Sequence, residues 1–149
     1  MKILYTASAT ANGGRNGGVR SSDGILDLQL ELPTGLGGPG GKSNPEQLFA
    51  AGYAACFHNA IKRMAAEHKV SIKDSTVTAN VGIGRNDAGN FALEVELVTS
   101  LPNATPEEAD KIVKAADRVC PYSNATRGNV NLRLTTTAGS NQPVTTPSS

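Results

Sequence analysis

Residues 44–57 combine a strong helix start with a long apolar run, and this combination most constrains the fold. Asn44 can cap a helix, and Pro45 suits its first turn because no backbone N–H is needed there. Residues 48–57 form the longest apolar run in the chain, ten residues, which is too short to span a bilayer. A helix that is apolar all round is buried on every side. The pattern therefore predicts a buried helix that continues to about residue 68, with its later, more polar half in contact with water.

Alternation of apolar and polar residues predicts strands on both sides of this helix. In chain order the predicted strands are residues 2–8, 18–32, 76–84, 91–99 and 130–136, with a hairpin turn at 21–24. A second helix is predicted to follow Thr105, whose side chain can form a capping box with Glu108. This helix should end near Val119, because the residue before Pro121 disfavours helical geometry. The order of elements predicts an α+β fold with antiparallel sheets packed around a long buried central helix.

The length of the chain, 149 residues, suits one domain with its own core. We expect this domain to span residues 1–138. Residues 139–149 are rich in Pro and polar side chains, which predicts a disordered tail.

Charge and cysteine content exclude several classes of function. The chain has 14 Lys plus Arg and 13 Asp plus Glu, so it offers no strong field for nucleic acid. Its two Cys and two His, at positions 56, 58, 68 and 120, lack the close cysteine pair of a zinc site, so no metal is expected. The first residues do not resemble a secretory signal, which predicts a cytoplasmic protein with no membrane partner. In a reducing cytosol, paired cysteines are more often redox-active than structural.

Considered singly, four candidate functional residues each have a simpler interpretation. Cys56 could be a small core residue, because free cysteines are among the most buried residue types. A buried thiol is inert unless a cation lies near it. Arg15 could be solvated in its glycine-rich loop, and Glu46 could simply favour the positive end of the helix dipole. Cys120 could be an ordinary helix-end residue. His58, two positions after Cys56, would point to a nearly opposite helix face and is not expected to act as its base.

Three segments together change this interpretation. Residues 44–57, NPEQLFAAGYAACF, closely resemble the peroxidatic helix of the organic hydroperoxide resistance (Ohr) subfamily of the OsmC/Ohr family. Residues 14–17, GRNG, resemble the arginine loop of that subfamily. Residues 120–129, CPYSNATRGN, resemble its resolving-cysteine segment. The segments occur in the expected order, and the resemblance extends over about residues 1–136.

The resemblance implies a thiol peroxidase that reduces alkyl or fatty-acid hydroperoxides to alcohols. Cys56 would be the peroxidatic cysteine, forming a sulfenic acid, and Cys120 the resolving cysteine, forming a disulfide with it. Arg15 would stabilise the Cys56 thiolate, and Glu46 would hold the guanidinium in place.

The resemblance also implies the substrate and the partners. An apolar wall would bind the organic part of the peroxide, and its expected members are Leu36, Leu48, Phe49, Tyr53 and Phe57. No bound cofactor is expected. The disulfide would be reduced by a dithiol such as dihydrolipoamide, carried by a lipoylated partner protein.

Helix geometry adds a hypothesis about assembly. Glu46 and Cys56 are ten residues apart on one helix, which separates their Cα atoms by roughly 15 Å. One arginine cannot easily contact both. We therefore expect an intertwined homodimer in which Cys56 meets the Arg15–Glu46 pair of a second chain, with the small residues 50–55 at the interface.

Three alternatives remain open at this point. An OsmC-type peroxidase would have a broader peroxide preference, although the GRNG and CPYSN segments favour the Ohr subfamily. A non-enzymatic redox sensor would oxidise once without turnover. An apolar-ligand binder would carry inert buried cysteines.

Overall fold

The computed structural model describes residues 1–139 and 142–146. Its packing divides the chain into two compact units, residues 1–48 and residues 49–149. Each unit is described by itself below.

The first unit contains a three-stranded antiparallel sheet. Strands β1 (Ala9–Asn12), β2 (Gly18–Ser21) and β3 (Asp27–Gln29) lie in the order β1-β2-β3. The predicted hairpin turn is confirmed, since the Gly24 backbone N–H donates to the Ser21 carbonyl at 2.9 Å. Gly24 has a φ of +76°, a backbone conformation that glycine adopts readily.

The first predicted strand is displaced along the chain. Residues 1–8 have no regular secondary structure, and the first strand begins at Ala9 instead of residue 2. Ile3, Leu4 and Tyr5 are all largely exposed. Alternation gives a segment the side chains of a strand, but a strand also needs a neighbour to accept its backbone hydrogen bonds. The described strand β2 supplies that neighbour only from Ala9 onward.

The second unit contains a four-stranded sheet in the order β4-β5-β6-β7. Its first three strands are β4 (Thr76–Arg85), β5 (Phe91–Leu101) and β6 (Asn131–Ala138). Strand β5 pairs antiparallel with β4 but parallel with β6. The prediction of purely antiparallel sheets was wrong here, because the chain returns through helices before β6 and so enters the sheet in the same direction as β5.

Part of the predicted tail forms a strand. Strand β7 (Gln142–Thr146) pairs antiparallel with β6, so these residues are not the disordered segment that was predicted. The sequence includes three consecutive β-branched residues, 144–146, which favour extended backbone. Pro143 is compatible with a strand at the edge of a sheet, where a backbone donor can be missing. The other predicted tail positions after 139 lie outside the described residues.

The described residues also form three α-helices: α1 (Pro45–Glu67), α2 (Pro106–Val119) and α3 (Pro121–Thr126). The predicted start of α1 is confirmed, with the Asn44 side-chain oxygen accepting from the Gln47 N–H at 2.9 Å. The capping box of α2 and its end at Val119 are also confirmed. Helix α3 was not predicted. Pro121 ends α2 and also begins α3, because a proline at the first helical position lacks only a donor that would be unsatisfied anyway.

Burial along α1 differs from the prediction. Its buried side chains recur at helical spacing on one face: Tyr53, Phe57, Ala60, Ile61, Met64 and Ala65. Ala51 and Ala55 are exposed, so the apolar run is not buried on all sides within this chain. Most of the buried face lies after the run, in the half that was expected to meet water. The longer side chains there, spaced three and four residues apart, form the core stripe.

The core of the second unit lies between the helices and the inner face of the mixed sheet. Its fully buried members include Leu97, Leu101, Ile112 and Leu134. Among the described residues, no helix is both long enough and apolar enough to cross a membrane.

We predict that Gly52→Ala destabilises the protein because Gly52 packs beneath the Tyr122 ring. A Cβ at position 52 would lie 2.8 Å from the Tyr122 hydroxyl oxygen and 3.2 Å from a ring carbon. Urea unfolding should show a loss of about 1–3 kcal/mol in the free energy of unfolding. In a Tyr122→Ala background the sign should reverse, with a gain of about 1 kcal/mol from helix propensity. Equal effects in the two backgrounds would contradict this packing argument.

Candidate active site

Arg15 and Glu46 form a two-pronged ion pair in the first unit. The two guanidinium nitrogens donate to separate carboxylate oxygens, Nη1 to Oε2 at 2.8 Å and Nη2 to Oε1 at 2.6 Å. Glu46 lies in the first turn of α1, where the helix dipole favours a negative charge. The geometry is the bidentate one that holds a guanidinium in a fixed plane. The structure thus brings together two of the four residues that the sequence analysis selected.

The loop that carries Arg15 is folded tightly, and this explains its glycines. Residues Gly14–Asn16 form a single 3-10 turn between β1 and β2. A Cβ at Gly17 would overlap the carbonyl oxygen of Asn12, so no larger residue fits there. Gly13 has a φ of +79°, in the left-handed region. The glycine-rich sequence is therefore a requirement of this turn, which presents the long Arg15 side chain.

The ion pair keeps both partners charged. The hydrogen bond from Arg15 holds the pKa of the Glu46 carboxyl below its ordinary value of 4.5, although partial burial opposes this effect. The same hydrogen bond raises the pKa of Arg15. At neutral pH the pair therefore presents a guanidinium whose position is set by a charged carboxylate.

Cys56 and Cys120 face each other in the second unit. Their sulfur atoms lie 3.6 Å apart, and neither is in a disulfide. Cys56 is half-buried on α1, whereas Cys120 is completely buried at the junction of α2 and α3. A disulfide has a sulfur–sulfur distance of about 2.05 Å, so an approach of about 1.5 Å would join them. Residues 64 positions apart in sequence are thus placed for a bond.

The environments of the two thiols are unequal. Burial, followed by the hydrogen bond to Cys56, raises the pKa of Cys120 above its ordinary 9.0, while the N–H and hydroxyl of Ser123 lower it. Cys120 therefore remains a thiol at neutral pH and donates its S–H to the Cys56 sulfur. This contact favours the protonated form of Cys120, because the S–H is the donor in it.

An aromatic cluster lies beside the thiols. The rings of Phe49, Tyr53 and Tyr122 meet with centroid distances of 5.7–6.5 Å. Tyr53 is completely buried, and its hydroxyl is 2.9 Å from the Ser123 hydroxyl and 3.2 Å from that of Thr126. Tyr122 and Ser123 were not selected from the sequence. Their position just after Cys120, in the CPYS segment, was the available signal.

The structure places the residues of the expected substrate wall in different surroundings. Tyr53 and Phe57 belong to the buried core of the second unit, and Phe49 packs against that core. Leu36 is partly exposed in a 3-10 turn of the first unit, and Leu48 is half-buried. Contact of these five residues with a substrate stays a prediction.

Phe49 also lines an open, largely apolar groove of about 800 Å³ in the second unit. The other apolar residues along this groove are Phe91, Ala92, Leu93, Tyr122, Ala125 and Val130. Such a groove is large enough for the hydrocarbon part of a small organic molecule.

A metal centre needs an arrangement in which several His, Cys or acidic side chains converge. Within residues 1–139 and 142–146, no three His, Cys, Asp or Glu side chains converge in a way that could hold a metal ion. The Nε2 atom of His58 is instead 2.9 Å from the Ser75 hydroxyl.

Comparisons with known proteins identify the family. A family model described as OsmC-like protein matches residues 38–135. An organic hydroperoxide resistance protein of Xanthomonas axonopodis pv. citri is 51% identical over 136 residues, covering 90% of this chain and 95% of the relative. The organic hydroperoxide resistance protein OhrB of Bacillus subtilis is 43% identical over 132 residues, covering 88% and 96%. A crystal structure of an organic hydroperoxide resistance protein from Elizabethkingia anophelis is 50% identical, with a TM-score of 0.87 over 93% of this chain and 99% of that chain.

The chain therefore belongs to the OsmC family. Within that family it lies in the organic hydroperoxide resistance (Ohr) subfamily, as the sequence motifs indicated. It has the α+β fold of its solved relatives.

We predict that acid weakens the contribution of the Arg15–Glu46 pair to stability. The folded-state pKa of Glu46 is depressed, so the contribution is complete above the ordinary pKa of 4.5 and is lost as pH falls through the lower folded value. Urea unfolding of wild type and Glu46→Gln should differ by about 1 kcal/mol at neutral pH and converge in acid. The control is Glu31→Gln, which removes a single 3.7 Å contact with Lys42 and should matter little at any pH. A Glu46→Gln difference that persists after the carboxyl is protonated would contradict the prediction.

Proposed function

We propose that this protein is a cysteine-based peroxidase that reduces organic hydroperoxides to alcohols, with Cys56 as peroxidatic and Cys120 as resolving cysteine. The observation that carries the proposal is the 3.6 Å approach of two free thiols in unequal environments. Relatives named as organic hydroperoxide resistance proteins support a role in peroxide resistance.

The proposed chemistry proceeds in two oxidative steps. The Cys56 thiolate attacks one peroxide oxygen, the O–O bond breaks, and the departing alkoxide takes a proton to become the alcohol. Cys56 is left as a sulfenic acid. The Cys120 sulfur then attacks the Cys56 sulfur, the S–O bond breaks, and the hydroxyl leaves with the Cys120 proton as water. An external dithiol of the dihydrolipoamide type, on a lipoylated partner protein in the cytoplasm, is proposed to reduce the disulfide through thiol exchange.

Arg15 is proposed to supply the positive charge that the first step needs. Its guanidinium can stabilise a thiolate and donate hydrogen bonds to the peroxide oxygens. The bidentate contact with Glu46 supports this role, because it fixes the direction of the donors before substrate arrives. The apolar residues Leu36, Leu48, Phe49, Tyr53 and Phe57 remain the proposed wall for the organic substituent.

The proposal includes a homodimer that completes each site. Ten helical residues separate Glu46 from Cys56, about 15 Å along an α-helix. Ala51 and Ala55, small residues on the same helix, are exposed in this chain, and so are Ile3, Leu4 and Tyr5. These apolar surfaces are those that a second copy would cover. Cys56 of one chain would then meet the Arg15–Glu46 pair of the other.

Turnover with a lipoyl dithiol tests the proposed enzyme. We expect wild type to reduce cumene hydroperoxide faster than hydrogen peroxide, Cys56→Ser to be inactive, and Cys120→Ser to inactivate rapidly by over-oxidation. Arg15→Ala should slow oxidation of Cys56 at least about tenfold, because hydrogen bonds to charged groups are lost. Arg20→Ala, which removes an exposed cation 3.8 Å from Asp27, is the matched control and should leave the rate unchanged.

The same assay separates the alternatives. Comparable rates with both peroxides would favour an OsmC-type peroxidase of broader preference. A single oxidation without turnover would favour a redox sensor. No loss of thiol would leave a binding protein and end the proposal.

Mixing an inactive variant with a slowed one tests the shared site. In a dimer whose sites combine two chains, Cys56→Ser mixed with Arg15→Ala yields heterodimers with one intact site and one doubly altered site. Unfolding and refolding the mixture should therefore restore up to about a quarter of wild-type activity, because half of the dimers formed are mixed and each has one working site. Refolding each variant alone is the control. Activity that stays at the level of the separate variants would contradict the shared site.

A further inference from the structure

Arg127 joins the two helices that meet at Cys120. It directly follows the last residue of α3, and its side chain reaches back to the final turn of α2. Its Nη2 atom donates to the backbone carbonyl oxygen of Asp117 at 2.6 Å and lies 3.7 Å from the carboxylate oxygen Oδ2 of that residue. Its Nη1 atom donates to the side-chain oxygen of Asn124 at 2.7 Å. One guanidinium is thus bonded to α2 and to α3, on either side of the buried cysteine.

Pro121 explains why a side chain is needed to bond this end of α2. In an α-helix, the carbonyl of each residue accepts from the backbone N–H four residues later. For Asp117 that residue is Pro121, which has no N–H to donate. Arg127 supplies a charged donor in its place, and hydrogen bonds from charged donors are short and strong. The same guanidinium puts a positive charge beside the Asp117 side chain, which is only 1% exposed.

Cys120 is the single residue between α2 and α3, and its backbone is bonded to both helices. Its N–H donates to the Ala116 carbonyl in α2 at 2.9 Å, and its carbonyl accepts from the Asn124 N–H in α3 at 3.0 Å. Its φ of −68° and ψ of +123° are those of extended backbone, so the chain bends at this residue. The angle of the bend therefore sets where the Cys120 sulfur lies. Arg127 is bonded on both sides of the bend and holds that angle.

We infer that Arg127 is the positioning residue that holds Cys120 within reach of Cys56 for disulfide formation. This inference rests on the proposed function, in which Cys120 resolves the Cys56 sulfenic acid. The two sulfurs are 3.6 Å apart and must approach to about 2.05 Å, so a small change at the bend alters the reaction. A misplacement of about 1 Å can slow a reaction about a hundredfold. Arg127 acts through the bend between α2 and α3 and exchanges no proton or electron in the reaction.

The test separates the two oxidative steps. Wild type and Arg127→Met are mixed with cumene hydroperoxide and quenched rapidly with acid, and mass spectrometry follows the sulfenic acid of Cys56 and the disulfide. We expect the sulfenic acid to form at the wild-type rate and the disulfide to form at least about tenfold more slowly. Sulfinic acid should then accumulate on Cys56 at high peroxide, because an unresolved sulfenic acid is oxidised further. Equal slowing of both steps, or an unchanged second step, would overturn the inference.

Three further variants separate positioning from charge and from stability. Arg118→Met removes an exposed arginine from the last turn of α2 and should leave both steps unchanged. Val95→Ala destabilises the core on β5 and should leave the ratio of the two rates at its wild-type value. Arg127→Lys keeps the charge but replaces a planar fork with a point donor, so it should recover only part of the second rate. Full recovery with lysine would mean that charge alone acts, and would overturn the inference.

A second readout does not depend on peroxide. Equilibration with reduced and oxidised dithiothreitol gives the ratio of disulfide to dithiol for the Cys56–Cys120 pair. We expect Arg127→Met to lower this ratio at least about tenfold, because a cysteine that is no longer held near its partner has a lower effective concentration. Asn124→Ala removes only the Nη1 contact and should lower the ratio by a smaller factor. An unchanged ratio in Arg127→Met would contradict the positioning role.

The two readouts distinguish failure of this inference from failure of the proposed function. If wild type forms no sulfenic acid with the hydroperoxide, the proposed function fails, and the dithiothreitol equilibrium alone decides whether Arg127 positions Cys120. If Arg127→Met does not fold, Asn124→Ala decides both readouts, because its side chain is exposed and its loss leaves the core intact. Wild-type behaviour of that variant in both measurements would then overturn the inference.

Discussion

Pro121 cannot donate a backbone hydrogen bond, and this constraint determines how the chain passes from α2 to α3 in the second unit. Helix α2 ends at Val119 with Cys120 as its cap, and α3 begins at Pro121, so the chain turns a corner at a cysteine. That corner is packed against α1 through the Tyr122 ring over Gly52 and through the Cys120 contact with Cys56. The same proline thus sets the position of Cys120.

The Arg15–Glu46 ion pair and the Cys56–Cys120 thiol pair differ in how their charge is controlled. Arg15 and Glu46 are partly exposed, and each keeps the other charged through a direct contact. Cys120 lies away from water, where burial disfavours the anion and only nearby donors oppose it. In the proposed reaction, the ion pair supports the first step, and the second step joins two sulfurs that are already in contact. Each step then depends on its own pair of residues, and a substitution at one pair need not alter the other.

The sequence was most informative where local rules act alone. The caps at Asn44 and Thr105 depend on neighbouring residues only, and both were predicted correctly. The mixed sheet, the displacement of β1 to Ala9 and the strand β7 were not predicted, because pairing depends on which distant segments become neighbours. The motifs selected two pairs of residues that the structure brings together. The contacts of the Tyr53 hydroxyl with Ser123 and Thr126 were not predicted, because they join segments about 70 positions apart in sequence.

The complete burial of Cys120 has a consequence for the direction of thiol exchange. In a Cys56–Cys120 disulfide, an outside reductant would reach the half-buried Cys56 sulfur first, so the mixed disulfide would form there and Cys120 would be expelled. The leaving group would then be the completely buried sulfur of Cys120. Because of this difference in burial, the reductant would always attack the Cys56 sulfur, and the Cys120 sulfur would always be the one released.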